Sequence, residues 1–138
     1  MSAEQKTPVG GVLILNNDGK ILLAQEKQER AYGLWNLPAG WQDEGESLAQ
    51  TAVREAKEEV GLDVKLVNDE PLVSMLNDSG DRMLHSFLGR VSGGEVKIQE
   101  DELLDAGWFS LEEIEQLAKD SKLRNRWTLE SARKAKKL

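Results

Sequence analysis

The feature that most limits how this chain folds is an amphipathic helix predicted at residues 47–60. Its apolar residues recur mainly at every fourth position, so a helix turning roughly 100° per residue collects them in one stripe. The stripe consists of Leu48, Ala49, Ala52, Val53, Ala56 and Val60. Ser47 and Gln50 form a capping box at the start, and Gly61 is typical of a helix end. We therefore predict a helix that ends at about Val60 and buries one face.

Apolar runs before and after this helix predict strands. Residues 9–16 and 20–26 are joined by Asn17-Asp18-Gly19, which is typical of a hairpin. Further strands are expected at 63–67, 71–76, 82–91 and 106–110, and helices at about 111–118 and 122–135. Ser110 and Glu113 form a second capping box before the first of these helices. The irregular alternation predicts an α+β fold, a mixed β-sheet with helices on its faces, in one domain spanning 1–138.

Composition and charge exclude several classes of protein. The 138 residues include no cysteine, so disulfides, thiolate metal sites and cysteine nucleophiles are excluded. The first ten residues lack the apolar core of a signal peptide, and no apolar run is long enough to span a membrane, so we expect a cytoplasmic protein. The net charge of -7 argues against a nucleic-acid partner. The basic segment 122–138 is interpreted as complementing a helix dipole, and a basic contact for substrate or partner stays open.

Three glutamates lie together beside the apolar stripe of the predicted helix. Glu55, Glu58 and Glu59 have the spacing i, i+3 and i+4, at which like charges repel by a few tenths of a kcal/mol. Carboxylates concentrated in this way suit a hard cation that prefers oxygen ligands. An ordinary glutamate-rich surface helix is the alternative, which the helix alone does not exclude.

The residues around the helix resemble the Nudix box, Gx5Ex7REUxEExGU, where U is a bulky aliphatic residue. Its seven fixed letters match at Gly40, Glu46, Arg54, Glu55, Glu58, Glu59 and Gly61. Ala56 departs from the pattern, because the family usually has Ile, Leu or Val there, and we expect a looser packing contact. The box covers residues 40–62.

This resemblance implies an α/β/α sandwich in which the box forms a loop–helix–loop. It also implies hydrolysis of a nucleoside diphosphate linked to another group, with Mg²⁺ or Mn²⁺ as cofactor. By position in the box, Glu55, Glu58 and Glu59 become the metal-binding and catalytic carboxylates, and Gly40 offers its carbonyl to the metal. Glu46 and Arg54 are expected to pair and support the box. Which carboxylate is the general base stays open.

Residues outside the box are assigned more loosely. Members of the family often carry a glutamate six residues before a tryptophan such as Trp108, which indicates Glu102 as a further catalytic residue, with Asp101 or Glu100 as substitutes. Trp41 and Arg30 are candidate substrate contacts, at the cleft rim and near a phosphate. The other aromatic residues and the single histidine are interpreted as packing residues: Trp35, His85, Trp108 and Trp127.

The substrate is the weakest inference from sequence. Short similarities around residues 35–47 and 93–108 favour nucleoside di- or triphosphates, oxidised purines among them. ADP-ribose or nucleotide sugars are the alternative. This chain, however, lacks the residues that ADP-ribose hydrolases and dinucleoside polyphosphate hydrolases of the family typically carry beyond the box. A non-catalytic ligand-binding module is an alternative of another class. The partner is expected to be a small nucleotide, and a homodimer stays open.

Overall fold

Eight strands in two sheets and three α-helices make up the computed structural model, which describes residues 6–138. The strands are β1 (Val9–Ile14), β2 (Ile21–Glu26), β3 (Trp35–Asn36), β4 (Ala39–Trp41), β5 (Leu62–Leu66), β6 (Val73–Leu76), β7 (Met83–Gly94) and β8 (Leu103–Phe109). The helices are α1 (Leu48–Val60), α2 (Leu111–Lys119) and α3 (Arg126–Lys136), with one 3-10 turn at Glu29–Ala31. In these residues, no helix has both the length and the apolar character needed to cross a membrane.

The larger sheet is mixed, as predicted. Its strand order is β4-β1-β7-β5, and β6 pairs with the start of β7. The β1–β7 pair is parallel and the other pairs are antiparallel. A second sheet, entirely antiparallel, has the order β3-β2-β8. The α+β fold class with a mixed sheet is therefore confirmed, with a second sheet that the sequence did not reveal.

The predicted hairpin at Asn17-Asp18-Gly19 is wrong. A tight turn does lie there, but β1 and β2 belong to different sheets and share only an isolated bridge between Leu15 and Ile21. All six residues of β1 and five of the six in β2 are buried, so neither strand has a solvent face. Continuous apolar runs are typical of strands covered on both faces, and the turn residues alone do not show which partner each strand takes.

Helices cover both faces of the larger sheet. The helix α1 packs on β1 with the core residues Val12, Ile14 and Phe87, while α3 and α2 pack on the opposite core around Leu13 and Trp127. Adjacent glycines in β1 allow this close contact. A Cβ on Gly10 would overlap the α1 residues Leu48 and Thr51, and a Cβ on Gly11 would overlap the Trp127 ring. The result is the expected α/β/α sandwich.

The helix predictions were accurate where the signal is local. Both capping boxes form, with Ser47 Oγ accepting from the Gln50 amide and Ser110 Oγ from the Glu113 amide at 3.1 Å. The last helix begins at Arg126, later than predicted, because residues 122–124 bind the backbone of β3 instead. The short strands β3 and β4 were not predicted, and they lie between the predicted strand at 20–26 and the predicted helix at 47–60.

Candidate active site

A cleft of about 870 Å³ brings the box and several distant segments together. One wall is the glutamate flank of α1 with β4, and others come from the β6–β7 turn, the turn before β8 and the segment before α3. Another cavity, of about 750 Å³, lies between α2 and α3 and contains none of the box residues. The chemistry that the sequence predicts is therefore concentrated in the larger cleft.

Glu46 and Arg54 form a tight ion pair that fixes the loop against α1. Arg54 donates from Nε to Glu46 Oε2 at 2.8 Å and from Nη2 to Oε1 at 3.0 Å. The hydroxyl of Thr51 and the amide of Asp43 also donate to this carboxylate, at 2.6 and 3.1 Å. The bond from Arg54 is the main reason that the pKa of Glu46 falls from its usual 4.5 to about 2. The same pair raises the pKa of the Arg54 guanidinium.

The Arg54 guanidinium also joins the glutamate flank. Its Nη1 donates to Glu55 Oε1 at 2.9 Å and to Glu58 Oε2 at 3.1 Å, and its Nη2 donates to the Trp41 carbonyl at 3.1 Å. The Glu55 side chain is 15% exposed and that of Glu58 is 51% exposed. Glu55 therefore lies on the inner side of the flank and Glu58 at its solvent side.

Glu59 and Gly40 lie at the inner end of the flank. The Ala39 amide donates to Glu59 Oε2 at 2.9 Å, which ties α1 to β4. Burial raises the pKa of the Glu59 carboxyl well above its usual range, and the neighbouring carboxylates Glu55 and Glu26 raise it further. A Cβ on Gly40 would overlap the Glu55 carboxylate, so a larger residue here would require this carboxylate to move away from β4.

The chemistry of these donors fits a hard divalent cation. Glu55, Glu58 and Glu59 supply carboxylate oxygens, and Gly40 brings backbone next to Glu55. Within residues 6–138, however, no three acidic or histidine side chains form a ready-made metal cluster. Arg54 binds Glu55 and Glu58, and the Ala39 amide binds Glu59. A cation at this flank therefore competes with Arg54 for its ligands.

Some of the predicted residues outside the box line the cleft and others do not. Glu102 lines the cleft and accepts a bond from Gln28 Nε2 at 2.9 Å, whereas the alternatives Glu100 and Asp101 lie outside the cleft. Trp41 lies at the rim, 61% exposed, with the Arg82 guanidinium 4.6 Å from its ring centroid. Arg30 is an exposed residue that also lines the cleft.

The residues interpreted as packing residues lie outside this carboxylate cluster. Trp35 packs edge-on against Phe109 with ring centroids 4.8 Å apart, and Trp127 is buried. Trp108 packs against the α1 core. His85 is half-buried in β7 with Nδ1 2.7 Å from the Ser74 hydroxyl, and burial lowers its pKa.

A charged pair in the cleft, Glu26 and Arg124, was not predicted from the sequence. Arg124 donates from Nη1 to Glu26 Oε1 at 3.1 Å. Glu26 is only 7% exposed at the end of β2. An acidic residue ending an otherwise apolar run was an available signal, because buried glutamates are usually paired. Its partner lies near the other end of the chain, and no sequence spacing relates the two.

The fold and the carboxylate cleft agree with a comparison against known families. The chain belongs to the NUDIX domain family, whose sequence profile matches residues 5–130. An "8-oxo-dGDP phosphatase NUDT18" from Danio rerio is 33% identical over 103 residues, covering 72% of this chain and 30% of that protein. A "NAD-capped RNA hydrolase NudC" from Vibrio atlanticus is 36% identical over 107 residues, covering 78% of this chain and 39% of that protein. The chain thus spans well under half the length of these relatives.

A solved structure of similar length extends the comparison. The structure of an ADP-ribose pyrophosphatase from Streptococcus suis is 28% identical with a TM-score of 0.72. The match covers 96% of this chain and 92% of that one.

Proposed function

We propose that this protein hydrolyses the pyrophosphate bond of a nucleoside diphosphate linked to another group, with Mg²⁺ or Mn²⁺ as cofactor. The observation that carries the proposal is the presence of Glu55, Glu58 and Glu59 on one wall of a cleft that Glu102 also lines. Such a set of oxygen donors suits cation binding beside a polyanionic substrate.

Each residue of the box has a separate task in this proposal. Glu55, Glu58 and Glu59 hold the divalent cation, together with the carbonyl of Gly40. When bound, the cation neutralises phosphate charge and lowers the pKa of a water molecule. Arg54 orients Glu55 and Glu58 through its Nη1, and Glu46 holds Arg54 in place.

A carboxylate must also accept the proton of the attacking water. Glu58 and Glu102 are the candidates for this base, because both line the cleft and neither is bound by a backbone amide as Glu59 is. Glu102 is oriented by Gln28, whose amide donates to it at 2.9 Å.

Nucleoside di- or triphosphates, including oxidised purines, are the substrates we favour. The 33% identity to a protein named an 8-oxo-dGDP phosphatase supports this choice. The exposed ring of Trp41 at the rim offers a surface on which a base can stack.

ADP-ribose or a nucleotide sugar is the second candidate. A specific observation supports it, because the ADP-ribose pyrophosphatase from Streptococcus suis matches almost the whole of both chains. Both substrate classes contain the same diphosphate, so the box residues have the same tasks in either case.

A substrate panel tests the proposal. It contains normal and 8-oxo purine di- and triphosphates, ADP-ribose, nucleotide sugars and dinucleoside polyphosphates, each with Mg²⁺ and with Mn²⁺, and the products are separated by chromatography. We expect one class to be cleaved well ahead of the others, and Glu59→Gln to lose at least a hundredfold in kcat with an unchanged circular dichroism spectrum. Glu112→Gln, on the exposed first turn of α2, is the matched control and should keep wild-type activity.

The two unfavourable outcomes have different meanings. Wild-type activity in Glu59→Gln contradicts the assignment of the flank. If no compound is cleaved while nucleotides still raise the melting temperature, a non-catalytic ligand-binding module replaces the proposed enzyme.

A further inference from the structure

We propose that Arg124, positioned by the buried Glu26, binds a phosphate group of the nucleotide in the cleft. The inference rests on the proposed function, since its ligand is the nucleotide of the same site. It adds a binding residue from outside the box.

The first observation is the burial of Glu26 beside a partly exposed Arg124. The Glu26 side chain is 9% exposed and that of Arg124 is 39% exposed, with Nη1 and Oε1 3.1 Å apart. An unpaired carboxylate at this depth is costly, so Glu26 fixes the guanidinium beside it. Asn36 lies against the same Glu26 oxygen, with Nδ2 at 3.5 Å.

The backbone of Arg124 is fixed as well. Its amide donates to the Trp35 carbonyl at 2.9 Å, and the Trp35 amide donates to the Lys122 carbonyl at 2.8 Å. The next residue, Asn125, accepts the Asp78 amide at 3.0 Å, and Asp78 accepts the Arg126 amide at 3.0 Å. Arg124 is therefore held from β3 on one side and from the β6–β7 turn on the other, which lowers the entropy cost of binding a ligand.

Charge distinguishes Arg124 from the other cations that line the cleft. Lys6 pairs with Asp81, and Arg82 lies over Trp41. Arg30 also lines the cleft, but it is exposed on the 3-10 turn and no carboxylate within residues 6–138 holds its guanidinium in place. Arg124 uses only Nη1 on Glu26, and no residue within 6–138 bonds to its Nε or Nη2. A planar guanidinium with free N–H groups is well suited to two oxygens of one phosphate.

Distance along the chain relates this pair to the glutamate flank. Asn36, which contacts Glu26, is three residues before Ala39, whose amide binds Glu59. Three residues of extended backbone span at most about 10 Å. A nucleoside diphosphate is long enough to reach from the glutamate flank to Arg124, so the flank and Arg124 can bind different phosphates of one substrate.

Calorimetric titration with three probes tests the assignment without turnover. The probes are a nucleoside 5′-monophosphate, ribose 5-phosphate and the unphosphorylated nucleoside, each titrated in Mg²⁺ into the full chain. We expect Arg124→Gln to weaken both phosphorylated probes at least tenfold and to leave the nucleoside unchanged, with Arg124→Lys intermediate. Arg126→Gln is the matched control, since its 67% exposed side chain pairs with Glu130 and should bind all probes as wild type does.

Three results overturn the proposal. They are unchanged phosphate binding in Arg124→Gln, loss of nucleoside binding in that variant, and no phosphate-dependent binding by the wild type. If Arg124→Gln fails to fold because Glu26 is left unpaired, the double variant Glu26→Gln/Arg124→Gln removes that charge and replaces it in the same titrations.

The inference and the proposed function fail separately. A chain that cleaves nucleotides with kcat and KM independent of Arg124 contradicts only the inference. A chain that cleaves none of the panel but needs Arg124 for phosphate binding contradicts only the proposed hydrolysis.

Discussion

Arg54 explains how three glutamates share one side of a helix. The spacing of Glu55, Glu58 and Glu59 should destabilise α1, but Arg54 donates to two of them and is itself held by Glu46. One guanidinium thus connects the loop before α1 with the carboxylates on α1. The same carboxylates are the proposed cation ligands. Arg54 therefore holds these side chains in place and also competes with the cation for their oxygens.

The Glu46–Arg54 pair gives a pH-dependent contribution to stability. Arg54 lowers the pKa of Glu46 from 4.5 to about 2 in the folded protein, so the folded state favours the charged form. The stabilising contribution of the Glu46–Arg54 pair is complete above pH 4.5 and disappears as the pH falls towards 2. We expect the free energy of unfolding of Glu46→Gln to be about 1–2 kcal/mol lower than that of the wild type at pH 7. This difference in free energy should narrow as the pH falls from 4.5 to 2.

Urea unfolding of both proteins across this range measures the difference. Glu112→Gln is an exposed control on α2 whose difference from wild type should stay small. A difference for Glu46→Gln that is the same at pH 3 and pH 7 would contradict the assignment.

Gly40 is a residue at which a single methyl group should affect the site. A Cβ there overlaps the Glu55 carboxylate, so Gly40→Ala must displace either β4 or Glu55. Because the overlapping atoms are the flexible end of the Glu55 side chain, we expect the free energy of unfolding to change by less than about 1 kcal/mol, whereas displacement of this carboxylate should lower the catalytic rate at least tenfold. The measurements are steady-state kinetics and urea unfolding. Gly33→Ala is a control for activity alone, because a Cβ at Gly33 meets no atom within 4 Å, whereas its φ of +81° makes the substitution costly for stability. Full activity in Gly40→Ala would show that this close approach is unimportant.

At the scale of single residues, the sequence indicated the glutamates of the box and, outside it, Glu102 and Arg30, which also line the cleft, but it did not indicate the Glu26–Arg124 pair. The box residues lie within one loop and one helix, so their spacing indicates their common location. Glu26 and Arg124 meet only because residues 122–124 bind the backbone of β3. A contact of that kind depends on the tertiary fold and leaves no local pattern.

The helices are set by their ends. Both α1 and α2 begin at a serine whose hydroxyl accepts an amide and whose own amide is bound by the residue three positions later. These two caps have the same chemistry, but only the cap of α1 begins a helix that carries the glutamate flank. Comparing them separates helix stability from function.

We expect Ser47→Ala and Ser110→Ala to cost about 1 kcal/mol each, since each removes the acceptor for a first-turn amide. Only Ser47→Ala should also raise KM for metal, because fraying of the first turn of α1 loosens the hydrogen bond from the Thr51 hydroxyl to Glu46. Thermal unfolding and metal titration of activity measure the two effects. An equal change in the KM for metal in Ser110→Ala would show that a loss of overall stability, and not fraying of α1, causes the change.

The elements that sequence analysis misplaced share a physical cause. The predicted hairpin and the start of α3 both depend on partners distant in the chain: β1 pairs with β7, and the first turn of α3 is capped by Asp78. The strands β3 and β4 contain two and three residues, too few to produce a periodic pattern. Elements with local end signals were predicted to within a few residues.

At the scale of the whole molecule, the β6–β7 turn links the cleft to α3. The Asp78 amide donates to Asn125 Oδ1 and the Arg126 amide donates to Asp78 Oδ1, so Asp78 rather than a neighbouring residue supplies the cap of α3. We expect Asp78→Ala to cost about 1 kcal/mol and to speed amide exchange in the first turn of α3 but not in α1. Hydrogen exchange followed by mass spectrometry measures this. Ser79→Ala, in the same turn, is the control, and equal exchange in wild type and Asp78→Ala would contradict the contact.

The parallel pairing of β1 with β7 has a consequence for how the chain folds. Val9 pairs in register with Leu84, so the centre of the larger sheet closes only after the chain between these two residues has been made. Such non-local contacts must overcome loop-closure entropy before they stabilise the chain, which slows folding. During synthesis the apolar segment VGGVLI therefore emerges from the ribosome well before its permanent neighbour, and a nascent chain has to shield it in the meantime.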